Sequence, residues 1–277
     1  MAGATLFVLL AGALIWWFWP RAEGPRALAT LDVEDVHTLI ILPDSPDHAL
    51  FGHHHGVLET RDGGRRWAPL AGNPGQDAMY LTSPTGGTSY IAGHEVFLRS
   101  HDGGVTWQPV QSNLPGLDIH AFAVHPTDPS RLYAYLVGHG LFASRDGGAT
   151  WELRNPKQFS VVSIAIVPGE PDRLLLAAMG LAVFASSDDG RTLTPNTEGI
   201  FGLVFAVIVD PRNPQVVYAG ASNGVYRSDD SGATWERIGL EGVSLSTLAI
   251  SPTNPKVLMA VSRDKRVYRS EDGGRTW

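Results

Sequence analysis

Seven histidines stand where this chain can gather them: His37, His53, His54, His55, His94, His120 and His139. A neutral imidazole ligates borderline metals near pH 7. His53, His54 and His55 share one short turn, and His94 and His139 sit in turns of the same kind. His37 and His120 open apolar runs, each two residues after an aspartate, Asp35 and Asp118. Converging imidazoles and carboxylates suit zinc, copper or another divalent ion. The candidate metal set is His37, His55, His94, His120 and His139. The histidine triplet alternates sides, so any one of its members can be the one facing inward. The competing reading is ordinary turn histidines, placed alike because the sequence around them repeats. Their spacing matches no metal signature.

Carboxylates offer a second chemistry. A glycosidase needs two of them, roughly 5–10 Å apart. The acids on loops beside these histidines are Asp32, Glu34, Asp35, Asp77, Glu95, Asp118, Glu198, Glu241 and Asp264. Nothing in their spacing selects a pair, so catalytic residues stay unassigned and no cofactor is implied beyond the divalent metal. The chain has no cysteine, which excludes disulfides, thiol nucleophiles and thiolate ligands. A formal net charge of −7 argues against a nucleic-acid partner.

These residues hang on a repeat. The pattern Ser/Thr-x-Asp-x-Gly-x-Thr-Trp occurs six times: TRDGGRRW, SHDGGVTW, SRDGGATW, SSDDGRTL, SDDSGATW and SEDGGRTW. Its aspartates are Asp62, Asp102, Asp146, Asp188, Asp230 and Asp272, separated by 40, 44, 42, 42 and 42 residues. Four short strands fit that period. The expected fold is all-β, a six-bladed propeller of four-stranded blades over residues 27–277. Each repeat has an alternating apolar run for strand A, then a turn marked in five of six by Pro-x-x-Pro, then strands B and C, and the Asp motif as the C–D turn. The aspartate is expected to accept from a backbone N–H two residues on. The tryptophan is expected to fill space between neighbouring blades. Arg66 replaces the usual threonine in the first copy, and Leu193 replaces the tryptophan in the fourth, which makes blade four the least firmly stapled.

These motifs resemble the Asp-box, or BNR repeat, of the sialidase-like and sortilin-like propellers. Asp-boxes also occur in a photosystem II assembly factor and in bacterial proteins labelled glycosyl hydrolase by homology. The resemblance implies that the six aspartates are structural and that ligands use the opposite face. A sialidase grips its substrate carboxylate with three arginines. Here twelve arginines fall in or near the boxes and A–B turns, strands A contain none, and the sialidase Phe/Tyr-Arg-Ile/Leu-Pro motif is absent. Sialidase activity is not expected. The leading expectation is a binding or assembly module that takes a protein or glycan on the face opposite the boxes, as a monomer. A glycoside hydrolase and a metal-binding propeller are the alternatives.

Trp277 ends the chain before blade six has a strand D. Residues 27–31 can supply it by pairing with residues 267–270, which would leave no free edge; the alternative is a chain cut short. Residues 2–19 are uncharged and apolar, about 27 Å long as a helix, enough to span a bilayer core. Residues 1–20 are therefore expected to be a transmembrane anchor or signal segment, a hydrophobic helix, with residues 21–26 as linker. Arg21 and Arg26 would keep the propeller cytoplasmic by the positive-inside rule. The family resemblance points outward instead, and the adopted expectation is a single-pass cell-membrane protein, anchored by that run, with its propeller extracytoplasmic.

Overall fold

The computed structural model describes residues 24–82, 87–157, 159–180 and 182–277. These residues form six antiparallel four-stranded sheets and no helix. Among them no helix is long and apolar enough to cross a membrane. The anchor or signal segment expected at residues 1–20 lies outside the described residues.

Strands are lettered A to D outward from a central channel. Strands A are Thr38–Ile41, Tyr80–Leu81, Ile119–Val124, Val161–Val167, Val204–Val209 and Leu245–Ile250. Blade six takes its strand D from the other end of the chain. Ala29–Thr30 pairs with Arg266–Ser270, Ala29 opposite Val267 and Thr30 opposite Arg266. The Leu28 amide donates to the Val267 carbonyl at 2.8 Å and the Leu31 amide to the Lys265 carbonyl at 2.9 Å. This is the closure that residues 27–31 predict.

The apolar side chains form six clusters, and each spans two neighbouring blades. A motif tryptophan sits in five of them: Trp67 between blades six and one, Trp107, Trp151, Trp235 and Trp277 at the later junctions. Leu193 takes that place between blades three and four and is buried there. The indole N–H groups of Trp67, Trp151 and Trp277 donate to the glycine carbonyl three residues back at 2.8–3.0 Å. The motif thus closes its own turn and fastens its blade to the preceding one.

Within each box the aspartate accepts from the amide four residues on at 2.8–2.9 Å, not two residues on as expected. The longer reach follows from the serine or threonine hydroxyl, which donates to the same Oδ1 and fills the near position. The threonine hydroxyl meets Oδ2 in blades two to six. In blade one Arg66 Nε donates there at 2.7 Å, so the substitution preserves the bond. Blade four keeps all the aspartate bonds; its only departure is Leu193.

These bonds favour the ionised carboxylate. The Thr106 hydroxyl holds Asp102 down to about 2, the Thr192 hydroxyl does the same for Asp188, and the Arg66 side chain does so for Asp62. Burial opposes the shift at Asp230 and Asp272, but hydroxyl and amide bonds outweigh it and both fall to about 2. A depressed carboxylate contributes stability that is complete above its ordinary 3.8 and lost as pH falls through about 2. Denaturant midpoints should therefore hold down to pH 4 and drop steeply below it. Asp146→Ala should cost roughly 1–3 kcal/mol at neutral pH by leaving turn amides unpaired. A flat acid limb, or an unchanged midpoint in the variant, would contradict this account.

The channel end beside the A–B turns is an apolar funnel of about 420 Å³, lined by side chains such as Leu39, Phe122, Ile166 and Leu248 and by prolines. The other end is different.

Candidate functional site at the channel mouth

The B–C turns and D–A links surround the second end of the channel, a cavity of about 370 Å³. Its shape comes from a device repeated in strand A. In blades three to six the A–B register slips by one residue, at His120, Val162, Phe205 and Ser246. A bulge re-aims its extra side chain. All four line the mouth, as do His37 and Met79, which immediately precede strand A in blades one and two. Six equivalent positions thus form a ring, and two of them are histidines. Tyr80, beside Met79, crosses the channel from blade two and donates its hydroxyl to the Val162 carbonyl of blade four. Burial pushes its phenol pKa up.

On one side of the ring, imidazoles and aspartates form a continuous arc. Ring centroids lie 4.5 Å apart from His37 to His54, 6.0 Å from His54 to His94 and 5.0 Å from His94 to His120. Asp35, Asp77 and Asp118, from the D–A links of blades one to three, punctuate it. His37 Nε2 lies 3.5 Å from Asp35 Oδ2 and 3.6 Å from Asp77 Oδ1, and both His37 Nε2 and Asp77 Oδ1 are buried without a hydrogen-bond partner. His54 Nδ1 contacts Asp35 directly. Asp77 Oδ2 accepts from His94 Nδ1 at 2.6 Å. His94 Nε2 faces His120 Nε2 at 3.0 Å, and Asp118 Oδ1 lies 3.5 Å from the first and 3.0 Å from the second. Three sets can converge on a metal: Asp35, His37 and His54; His54, Asp77 and His94; His94, Asp118 and His120. Burial holds the His37 pKa below its ordinary 6.5; Asp77 opposes this, and His94 and His120 add to it. A neutral imidazole there has a lone pair to offer.

Of the histidines expected to gather, the structure brings together His37, His94 and His120. It puts His54 where His55 was expected. His55 turns outward to Glu34 at 3.4 Å and is 68% exposed. His139 lies near Gly116 and joins none of the three sets. The reason is turn length. His54-His55 and His94-Glu95 are two-residue turns, closed by the pairs His53/Gly56 and Gly93/Val96. The turn of blade three has three residues between Leu136 and Gly140, so Val137 follows strand B where His54 and His94 do, and His139 comes later. Counting back from the box would have found this: His54 and His94 precede Thr60 and Ser100 by six residues, His55 and His139 precede Thr60 and Ser144 by five. Asp77 belongs to the arc but stood only among the loop acids in the sequence reading.

The other side of the mouth is apolar. Val162, Met179 and Phe205 line it, with Arg263 stacked over the Phe205 ring at 5.2 Å. Met179 is 50% exposed, and on the same face Phe201 is 71% and Leu203 40% exposed. Four of the box-face arginines are occupied elsewhere: Arg61 with Glu59, Arg145 with Asp189, Arg227 with Asp229 and Arg269 with Asp47. Among the described residues Arg263 alone of the arginines lines the mouth, so no three-arginine grip is assembled there.

The family model described as sortilin, neurotensin receptor 3, matches residues 95–223, which hold the boxes of blades two to four. That stretch is under half of the chain, so it marks a likeness to sortilin-type propellers over those blades. Solved structures share this fold. A GH74 xyloglucanase from Xanthomonas campestris is 15% identical with a TM-score of 0.58, over 90% of this chain and 54% of that one. This chain thus spans about half the length of that enzyme. YCF48 from Cyanidioschyzon merolae is 18% identical with a TM-score of 0.56, over 90% of this chain and 98% of its own. YCF48 bound to a D1 peptide gives 15% and 0.53, over 90% and 97%. A putative gluconolactonase is 14% identical with a TM-score of 0.67, over 93% and 95%. Comparison with curated protein sequences gives no match. At these identities the likeness speaks for the fold, while function rests on the site.

Proposed function

We propose that the propeller is a binding module that takes a peptide segment of a partner protein across the channel mouth. The observation that carries this reading is the set of exposed apolar side chains on the face free of Asp-boxes, Met179 in the mouth and Phe201 and Leu203 on the loop before strand A of blade five. Large apolar side chains left in water beside a concave, polar-rimmed site are the ordinary mark of a protein-binding surface. YCF48, which this chain matches over nearly its full length, binds a peptide, and that supports the reading by analogy. The glycosidase alternative draws on the xyloglucanase likeness but has less to stand on. The aspartates at the mouth, Asp35, Asp77 and Asp118, are each engaged with histidines. Residues 2–19, apolar throughout, would tether the module to a membrane with the propeller outside the cytoplasm, and that tether is part of the proposal.

Peptides selected by phage display against the full chain should lose at least tenfold in affinity for a Met179→Ser, Phe201→Ser double variant. They should bind a Val105→Ser variant, altered on the box face, as they bind the parent. Peptides that ignore the double substitution would overturn the proposed surface. Turnover of a chromogenic glycoside by the full chain would overturn the non-enzymatic reading.

A further inference from the structure

The arc offers a chemistry that peptide binding does not require. We propose that the channel mouth holds one divalent transition-metal ion, zinc by its donor set, on His94 Nε2, His120 Nε2 and Asp118 Oδ1, with Asp77 orienting His94. The three donor atoms are 3.0, 3.0 and 3.5 Å apart. Donors bonded to a tetrahedral zinc at roughly 2.0–2.1 Å stand about 3.3 Å from one another. The arrangement is one triangular face of such a tetrahedron, with the fourth vertex open.

The proton inventory points the same way. An ionised carboxylate can only accept, so the 2.6 Å bond to Asp77 places the His94 proton on Nδ1. The His94 amide donates to the same Asp77 oxygen at 3.2 Å, which fixes the carboxylate in turn. His94 Nε2 is then a bare lone pair. It faces His120 Nε2, which carries at most one proton and has Asp118 Oδ1 at the same distance. Two acceptors compete for one N–H, and a cation between the three atoms satisfies all of them. Asp77, His94 and the ion would form a carboxylate–histidine–metal relay, the usual way a ligating imidazole is held in its tautomer. Two imidazoles and a carboxylate favour zinc or a neighbouring borderline ion over calcium or magnesium.

The other two sets are poorer. In the inner one His54 Nδ1 and Asp35 are paired with each other. The middle one draws His54 and His94 from its neighbours. Three protein donors with an open vertex describe a site that can accept a further oxygen or nitrogen, from water or from a side chain of whatever occupies the mouth.

The test uses the full chain, stripped of metal with a chelator and dialysed, then titrated calorimetrically with zinc chloride and spectroscopically with cobalt(II). One ion should bind, and cobalt should give the intense visible bands of a four- or five-coordinate centre. His120→Ala and Asp118→Asn should each lower zinc affinity at least 100-fold. Asp77→Asn should lower it by about 10–100-fold and shift the cobalt bands, since the tautomer of a ligand changes. His55→Ala and His139→Ala should bind as the parent does. Metal-free melting curves check that each variant is folded, and His120→Gln replaces His120→Ala if the latter is not. Absence of saturable binding overturns the proposal. So does binding that survives both changes at His120, or that is lost in His37→Ala but kept in the His120 variants.

Discussion

A chain that begins at Asp32 should lose about 3–6 kcal/mol of stability, while one that begins at Gly24 should melt like the parent. The difference is the closing strand. Leu31 is 4% exposed, inside the cluster shared by blades six and one, and cutting such a leucine to alanine alone typically costs about 2–5 kcal/mol. The shorter chain also loses the Leu28 and Leu31 amide bonds and both residue pairs of Ala29–Thr30. What remains of blade six is an unpaired edge along Arg266–Ser270, open to pairing with a second chain. Urea midpoints read the loss, and light scattering reads the edge. Equal midpoints for the two chains would mean that closure contributes nothing to stability.

The second large effect lies at the tryptophans. Trp151→Ala should cost about 3–5 kcal/mol. Its indole is 5% exposed between blades two and three, 6.1 Å from the Phe97 ring and 6.4 Å from Phe122. It donates to the Gly148 carbonyl at 2.9 Å, and Asn113 accepts from its backbone amide at 2.7 Å. Truncation would leave a cavity at a blade junction and free the box turn beside it. Trp151→Leu should cost distinctly less, because the junction between blades three and four already runs on Leu193. Chemical denaturation of the two variants decides this. Equal losses would show that the indole N–H bond matters more than the filled volume.

Period and motif made the scaffold legible from the sequence. Forty-two residues between aspartates leave room for four strands, and Trp277 arriving before a final strand pointed to residues 27–31 as its source. The tryptophans were legible too, since a large apolar residue in every box has to be buried somewhere. The site was legible only in part. His37 and His120 were found because both open strand A, and His94 because it occupies a B–C turn. His55 and His139 were included because all B–C turns were treated as equal. A single added residue between Leu136 and Gly140 moves a side chain from the arc to the rim, and hydropathy does not register such a change. The strand-A bulges escaped for the same reason. At His120, Val162, Phe205 and Ser246 the extra residue sits inside an unbroken strand and shows only in the pairing. Asp77 was grouped by charge with other loop acids, whereas its role comes from lying within reach of two histidines of different blades.

Tyr80 ties two walls of the mouth together. It reaches from blade two to the Val162 carbonyl of blade four, so the mouth has a cross-brace as well as a rim. An occupant held by the arc on one side and by Met179 and Phe205 on the other would depart only when both let go at once. Its residence time would then be set by the rim, and a change on either wall would show first as faster escape.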